Sequence, residues 1–147
     1  MWRRLLLSIG ICAVAVPALA ADRFYCAADD TSIKFSIDSG FSVGPGHKLN
    51  HFRGLMIGKS ALIPEDFRKL PLESSQLTQY WAYAGEVRLA VAAFNGNGDN
   101  AASAELVIVA SGKEDGTPMP GSYVLTISTP DGAKPVKLTG RLTCNAK

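Results

Sequence analysis

The chain has 147 residues, 47% of them hydrophobic and 19% charged, with a formal net charge of +2. Arg3 and Arg4 account for that surplus, because residues 21–147 carry equal numbers of basic and acidic side chains. A neutral chain of this size fits one domain with one core. Without a basic surplus it has no long-range attraction to nucleic acid or to an anionic membrane.

Residues 1–20, "MWRRLLLSIGICAVAVPALA", have the three parts of a cleaved secretory signal peptide: two arginines, an apolar run over 5–16, and the small-x-small site Ala18-Leu19-Ala20. The run is about twelve residues, short of the roughly twenty that span a bilayer. No later stretch is long and apolar enough for a membrane helix, so no integral segment is expected after cleavage. Cys12 lies inside the apolar run behind Ile11, where a lipoprotein signal places a small residue, so it belongs to the discarded peptide. Residues 21–147 then keep two cysteines, Cys26 and Cys144. An oxidising compartment, periplasmic or extracellular, predicts a disulfide between them.

Strand patterns dominate the rest of the chain. "TSIKFSI" alternates, with Ile33, Phe35 and Ile37 on one face. "GPGHKLNHFRG" (44–54) holds both histidines, His47 and His51. Gly44-Pro45-Gly46 breaks any helix and Leu49, His51, Arg53, Leu55 and Ile57 share one parity, which predicts a strand over 47–57. Four positions on a strand separate two imidazoles by about 13 Å, too far to share a metal, whereas a helix would bring them to about 6 Å. No metal and no cofactor is expected. "GLMIGKS" (54–60) falls one residue short of a phosphate loop between its glycines and lacks the required helix and parallel sheet. "IPEDFRKL" (63–70) is the one helical candidate: Pro64 suits a first turn, Glu65 and Asp66 the positive end, Arg68 and Lys69 the other, and Pro71 stops it.

"QLTQYWAYAGE" (76–86) holds Trp81, the one tryptophan of residues 21–147, between Tyr80 and Tyr83. Alternation places Leu77, Trp81 and Tyr83 in the core and exposes Tyr80, which with Arg53 or Arg88 would offer a flat surface to a glycan or protein partner. "EVRLAVAAF" aligns Val87, Leu89 and Val91. "NGNGDNAASAE" (95–105) has the Asn95, Asn97, Asp99 spacing of a calcium loop. It puts Asn100 where glycine is needed and Leu106 where the closing glutamate is needed, so the Asn-Gly steps are read as a hairpin. "AELVIVAS" is apolar on both faces, as in a central strand. "SGKEDGTPMPG" (111–121) is a longer loop, with Ser111 and Lys113 at its start as candidate contact residues. "SYVLTIST" aligns Tyr123, Leu125 and Ile127, and "PDG" (130–132) turns into "PVKLTGRLTC", which aligns Val136, Leu138, Leu142 and Cys144 with a gap at Gly140.

About eight strands emerge, at 23–28, 31–38, 47–57, 77–84, 86–94, 104–111, 121–129 and 135–144. The fold class is all-β, an antiparallel β-sandwich or flattened barrel with one short crossover helix. No serine has a nucleophile-elbow setting and no free cysteine can pair with a histidine, so no catalytic residue is assigned.

At scattered positions the chain resembles bacterial lysozyme inhibitors of the membrane-bound or periplasmic C-type class, which are small exported β barrels. Tyr25-Cys26 and Cys144 are similar to their early Tyr-x-Cys-like element and late cysteine. Ser111-Gly112 and Tyr123 are similar to their Ser-Gly-…-Tyr inhibitory segment, at a different spacing. The first expectation for function is an exported, non-enzymatic binding or accessory module of the bacterial cell envelope, with an envelope protein or glycan as partner. The alternative is a secreted or periplasmic protein inhibitor that inserts the 111–121 loop, whose prolines and glycines can hold a projecting shape at low ordering cost; the resemblance points to the lysozyme-inhibitor type. An envelope glycan or peptide hydrolase is the third. Oligomeric state is not encoded in any of these signals.

Overall fold

The computed structural model describes residues 23–41, 49–96, 101–113 and 117–146. Residues 1–20, expected as a signal peptide, His47, residues 97–100 of the calcium-like loop and residues 114–116 of the long loop lie outside them. Nine strands form one antiparallel sheet: β1 (Arg23–Asp29), β2 (Ile33–Phe41), β3 (Leu49–Gly58), β4 (Lys69–Glu73), β5 (Leu77–Tyr83), β6 (Glu86–Asn95), β7 (Ala102–Ser111), β8 (Met119–Ser128) and β9 (Val136–Ala146). Their order is β4-β3-β2-β1-β9-β8-β7-β6-β5.

Period-two alternation sorts the side chains as expected. Ile33, Phe35 and Ile37 of β2, Val87, Leu89 and Val91 of β6, and Tyr123, Leu125 and Ile127 of β8 are all buried. On β9 the inward row is buried at Leu142 and Cys144 but only half-buried at Val136 and Leu138. β7 lies inside the row of strands between β6 and β8, with Leu106 and Ile108 buried and the outward Val107 and Val109 half-buried.

The helix expected over 63–70 is absent. A single 3-10 turn spans Glu65–Phe67, and the chain then enters β4. Pro71 does not stop the segment, because β4 is an edge strand: Pro71 stands in register with Leu55, and on an edge the missing N–H costs no ladder bond when it points away from the partner. Phe67 is buried in the core and Arg68 pairs with Glu65, so helix-like signals here serve one tight turn.

That extra strand closes the sheet. Every neighbouring pair is antiparallel, so the two ends of the row, β4 and β5, run the same way. They are also consecutive in the chain, separated by the 3-10 turn Ser74–Gln76. They act as one long stave, kinked in the middle, whose first half pairs with β3 and whose second half pairs with β6. The kink touches both β3 and β6. It is held by the Glu73 amide donating to Gln76 Oε1 at 2.8 Å and by Ser74 Oγ donating to the Phe52 carbonyl at 3.2 Å. The result is a nearly closed, flattened up-and-down barrel whose interior is filled by side chains, with Phe24, Phe35, Phe67 and Tyr123 among the largest.

The seam between the chain's two ends is covalent. Cys26 of β1 and Cys144 of β9 are cross-strand neighbours and form a disulfide across 118 positions of sequence. Four positions before Cys144 on β9, Gly140 stands opposite Tyr123 in the β8–β9 register. A methyl group at 140 would strike the Tyr123 ring and the Asp30 carboxylate, so the gap in the β9 row is the space over which the tyrosine lies. The Tyr123 hydroxyl donates to Asp30 Oδ2 at 2.5 Å, while Asp30 Oδ1 accepts the Ser32 and Ile33 amides at 2.7 and 3.0 Å. One carboxylate thus shapes the β1–β2 turn and satisfies the buried phenol.

Candidate functional site

The hairpin of β5 and β6 turns through Ala84 and Gly85, both with positive φ (52° and 78°), the type I′ geometry favoured in two-residue hairpins. This turn fixes the register. Tyr83 faces Glu86, Trp81 faces Arg88 and Tyr80 faces Leu89. Leu89 points into the core, so Tyr80 does too, and it packs half-buried against the core cluster. Arg88 points outward, and Trp81 and Tyr83 go with it, at 47% and 71% exposure. The expected facing is therefore reversed: of the three aromatics on β5, Trp81 and Tyr83 are on the surface and Tyr80 is not. The cause is a bulge between Leu77 and Gln79, which shifts parity so that Leu77 and Tyr80 both face inward.

On the outer face the Trp81 and Tyr83 rings sit 6.1 Å apart at 46°. The Arg88 guanidinium lies 5.7 Å from the Trp81 ring centre, a cation–π distance, and its Nε donates to Glu86 Oε1 at 2.6 Å. The long loop begins at the same rim. Ser111 is in register with Glu86, and the Gly112 amide donates to the Gly85 carbonyl at 2.8 Å. Ser111 and Lys113 are exposed there. Four of the sequence-derived positions, Tyr80, Arg88, Ser111 and Lys113, thus belong to one end of the β5–β6–β7 face, three of them on its surface.

Arg53 lies elsewhere. On β3 it stands opposite Asp38 of β2, and its Nη2 donates to Asp38 Oδ2 at 3.0 Å. Arg23 of β1 donates to the same oxygen. The Arg23 hydrogen bond holds the Asp38 carboxyl below the usual carboxylate range, against a smaller opposing effect of burial and with help from Arg53. Beside this triad the β2–β3 register shifts between Asp38 and Gly40, and His51 adopts φ 54°. A left-handed conformation costs a non-glycine residue about 1–2 kcal/mol. Ser39, opposite the irregularity, is buried and donates to the Asn50 and Gly40 carbonyls at 2.9 and 3.0 Å. Arg23, Asp38, Ser39, Gly40, His51 and Arg53 line a cavity of about 310 Å³.

Sequence reading missed Arg23 and Asp38, which meet only through strand pairing. It misplaced Trp81 and Tyr83, although the signal was present: with Val87, Leu89 and Val91 inward, a two-residue turn at Ala84-Gly85 sets Trp81 against Arg88 on the polar face. Among the described residues, no group of three or more His, Cys, Asp and Glu side chains is placed to hold a metal ion, and no helix is long and apolar enough to cross a membrane. Comparison with protein-family models, characterised proteins and solved structures finds no match to this chain.

Proposed function

We propose that the protein is an exported, non-enzymatic binding module of the bacterial cell envelope, which engages a protein partner through Trp81, Tyr83 and Arg88. The observation that carries this reading is the exposed Trp81–Tyr83 pair with Arg88 against it, on a hairpin whose second strand, β6, is paired with β7 along its whole length. Tryptophan, tyrosine and arginine dominate the energetic centres of protein interfaces, and large aromatics left in water on a rigid support lose little entropy on binding. Export is supported by the leader-like residues 1–20 and by the Cys26–Cys144 disulfide, which suits an oxidising compartment.

The test is affinity capture from envelope extract with wild-type protein and with the Trp81→Ala/Tyr83→Ala double variant. A defined protein retained by the wild type and lost at least tenfold by the variant is expected. Equal retention by both, or pelleting with purified envelope glycan in place of protein capture, contradicts a protein partner at this rim.

The inhibitor reading has one observation in its favour. The Gly112–Gly85 hydrogen bond sets the start of the 111–121 loop against the aromatic hairpin, so loop and rings would meet one partner together. Inhibition of lysozyme, abolished by substitution at Ser111 and Lys113, is the outcome that reading requires.

A further inference from the structure

The cavity around Asp38 is separate from the aromatic rim and has its own chemistry. We propose that it is a binding site for a small monocarboxylate, held by the guanidinium groups of Arg23 and Arg53.

Charge is the first argument. Two guanidinium groups converge on a single carboxylate oxygen, Asp38 Oδ2, which leaves one positive charge uncompensated within the triad. Glu73 stands in register with Arg53 across the β3–β4 pair but does not line the cavity. A guanidinium carries five N–H donors; Arg23 reaches Asp38 through Nη2, and Arg53 through Nε and Nη2. Donors therefore remain on both side chains, in the planar arrangement that matches a carboxylate. A monoanion restores neutrality, whereas a phosphate dianion would overshoot it.

Shape is the second. A volume of about 310 Å³ is at the small end of ligand sites, so the occupant is a small molecule or the end of a longer one. Gly40 adds no side chain to the wall. Ser39 spends its hydroxyl on backbone carbonyls and acts as floor, not as a ligand donor. The third argument is the backbone. His51 is held in the left-handed region at the cavity wall, and strained non-glycine residues concentrate where ligands are gripped.

The experiment is a two-dimensional amide NMR titration of the oxidised protein with N-acetylglycine, with N-acetylglycinamide as the neutral control and inorganic phosphate as the competing anion. N-acetylglycine should give saturable shifts at the Ser39, Gly40 and His51 amides, and the neutral amide should bind at least tenfold more weakly. Arg53→Gln should weaken binding at least tenfold, with Arg23→Gln as a second variant. Both side chains are well exposed, at 73% and 60%, so the spectrum should stay dispersed. Equal binding of the amide, undiminished binding in both variants, phosphate binding more tightly than the carboxylate, or no saturable shift at these amides would each overturn the proposal.

Discussion

Replacing Tyr123 by phenylalanine removes one oxygen from a fully buried side chain and leaves its ring in place. The edge-to-face contact with Phe35, at 5.7 Å and 86°, should survive, so packing changes little. What is lost is a 2.5 Å hydrogen bond to an ionised acceptor, worth about 1.5–3 kcal/mol. Taking about 2 kcal/mol for the loss and a urea dependence of about 2 kcal/mol per molar, the unfolding midpoint should fall by about 1 M. The pH dependence comes from Asp30. Burial works against its charged form, but the Tyr123 hydroxyl and the Ile33 and Ser32 amides outweigh that and hold its carboxyl below the ordinary value. A depressed carboxyl contributes stability that is present above the unfolded pKa, about 3.9, and is lost as pH falls through the folded value. The gap between wild type and Tyr123→Phe should therefore be full at pH 7 and shrink below about pH 4. At the alkaline end, burial and then the hydrogen bond to Asp30 push the Tyr123 hydroxyl up, so the neutral phenol's contribution is lost only above its ordinary range, near 10. Urea titrations at pH 3 and pH 7 check both points. A midpoint shift under a quarter of that expected at pH 7, or an equal shift at both pH values, would refute the role given to this hydrogen bond.

The Cys26→Ala/Cys144→Ala double variant should lose up to about 5 kcal/mol in the chain-entropy model, since the bridge closes 118 positions of sequence; thermal unfolding of the variant and of reduced wild type should agree. Gly140→Ala should cost about 1–3 kcal/mol by overpacking against the Asp30 carboxylate and the Tyr123 ring, and less in a Tyr123→Ala background, where only the carboxylate contact remains, as read by a double-mutant cycle in urea. Tyr80→Ala should destabilise by about 2 kcal/mol or more, whereas Trp81→Ala and Tyr83→Ala should each cost under about 1 kcal/mol. The reverse ranking would restore the facing that simple alternation suggests.

The fold was legible wherever strands alternate without interruption. The rows Ile33-Phe35-Ile37 and Tyr123-Leu125-Ile127 and the gap at Gly140 come from period-two sorting of apolar and polar positions, and the disulfide from the two cysteines that residues 21–147 contain. Two local features defeated that logic. Pro71, with Glu65, Asp66, Arg68 and Lys69 ahead of it, has the punctuation of a short helix, and only its place on a sheet edge makes a strand possible. The bulge at Leu77/Gln79 inserts one residue, and a single insertion turns every later side chain to the opposite face. Alternation counted from Leu77 therefore buries Trp81, whereas counting back from the Ala84-Gly85 turn exposes it. The Arg23–Asp38–Arg53 triad was beyond reach because its members lie 15 positions apart on three strands, and their meeting depends on register.

The most direct measurement is site-specific photo-crosslinking in the native host, with a benzophenone side chain introduced at Tyr83 and, as a control, at Lys137 on β9, several strands away. A protein partner seated on the aromatic rim gives one discrete adduct from position 83 and none from 137. No adduct at 83, or equal adducts at both positions, would contradict binding through Trp81, Tyr83 and Arg88.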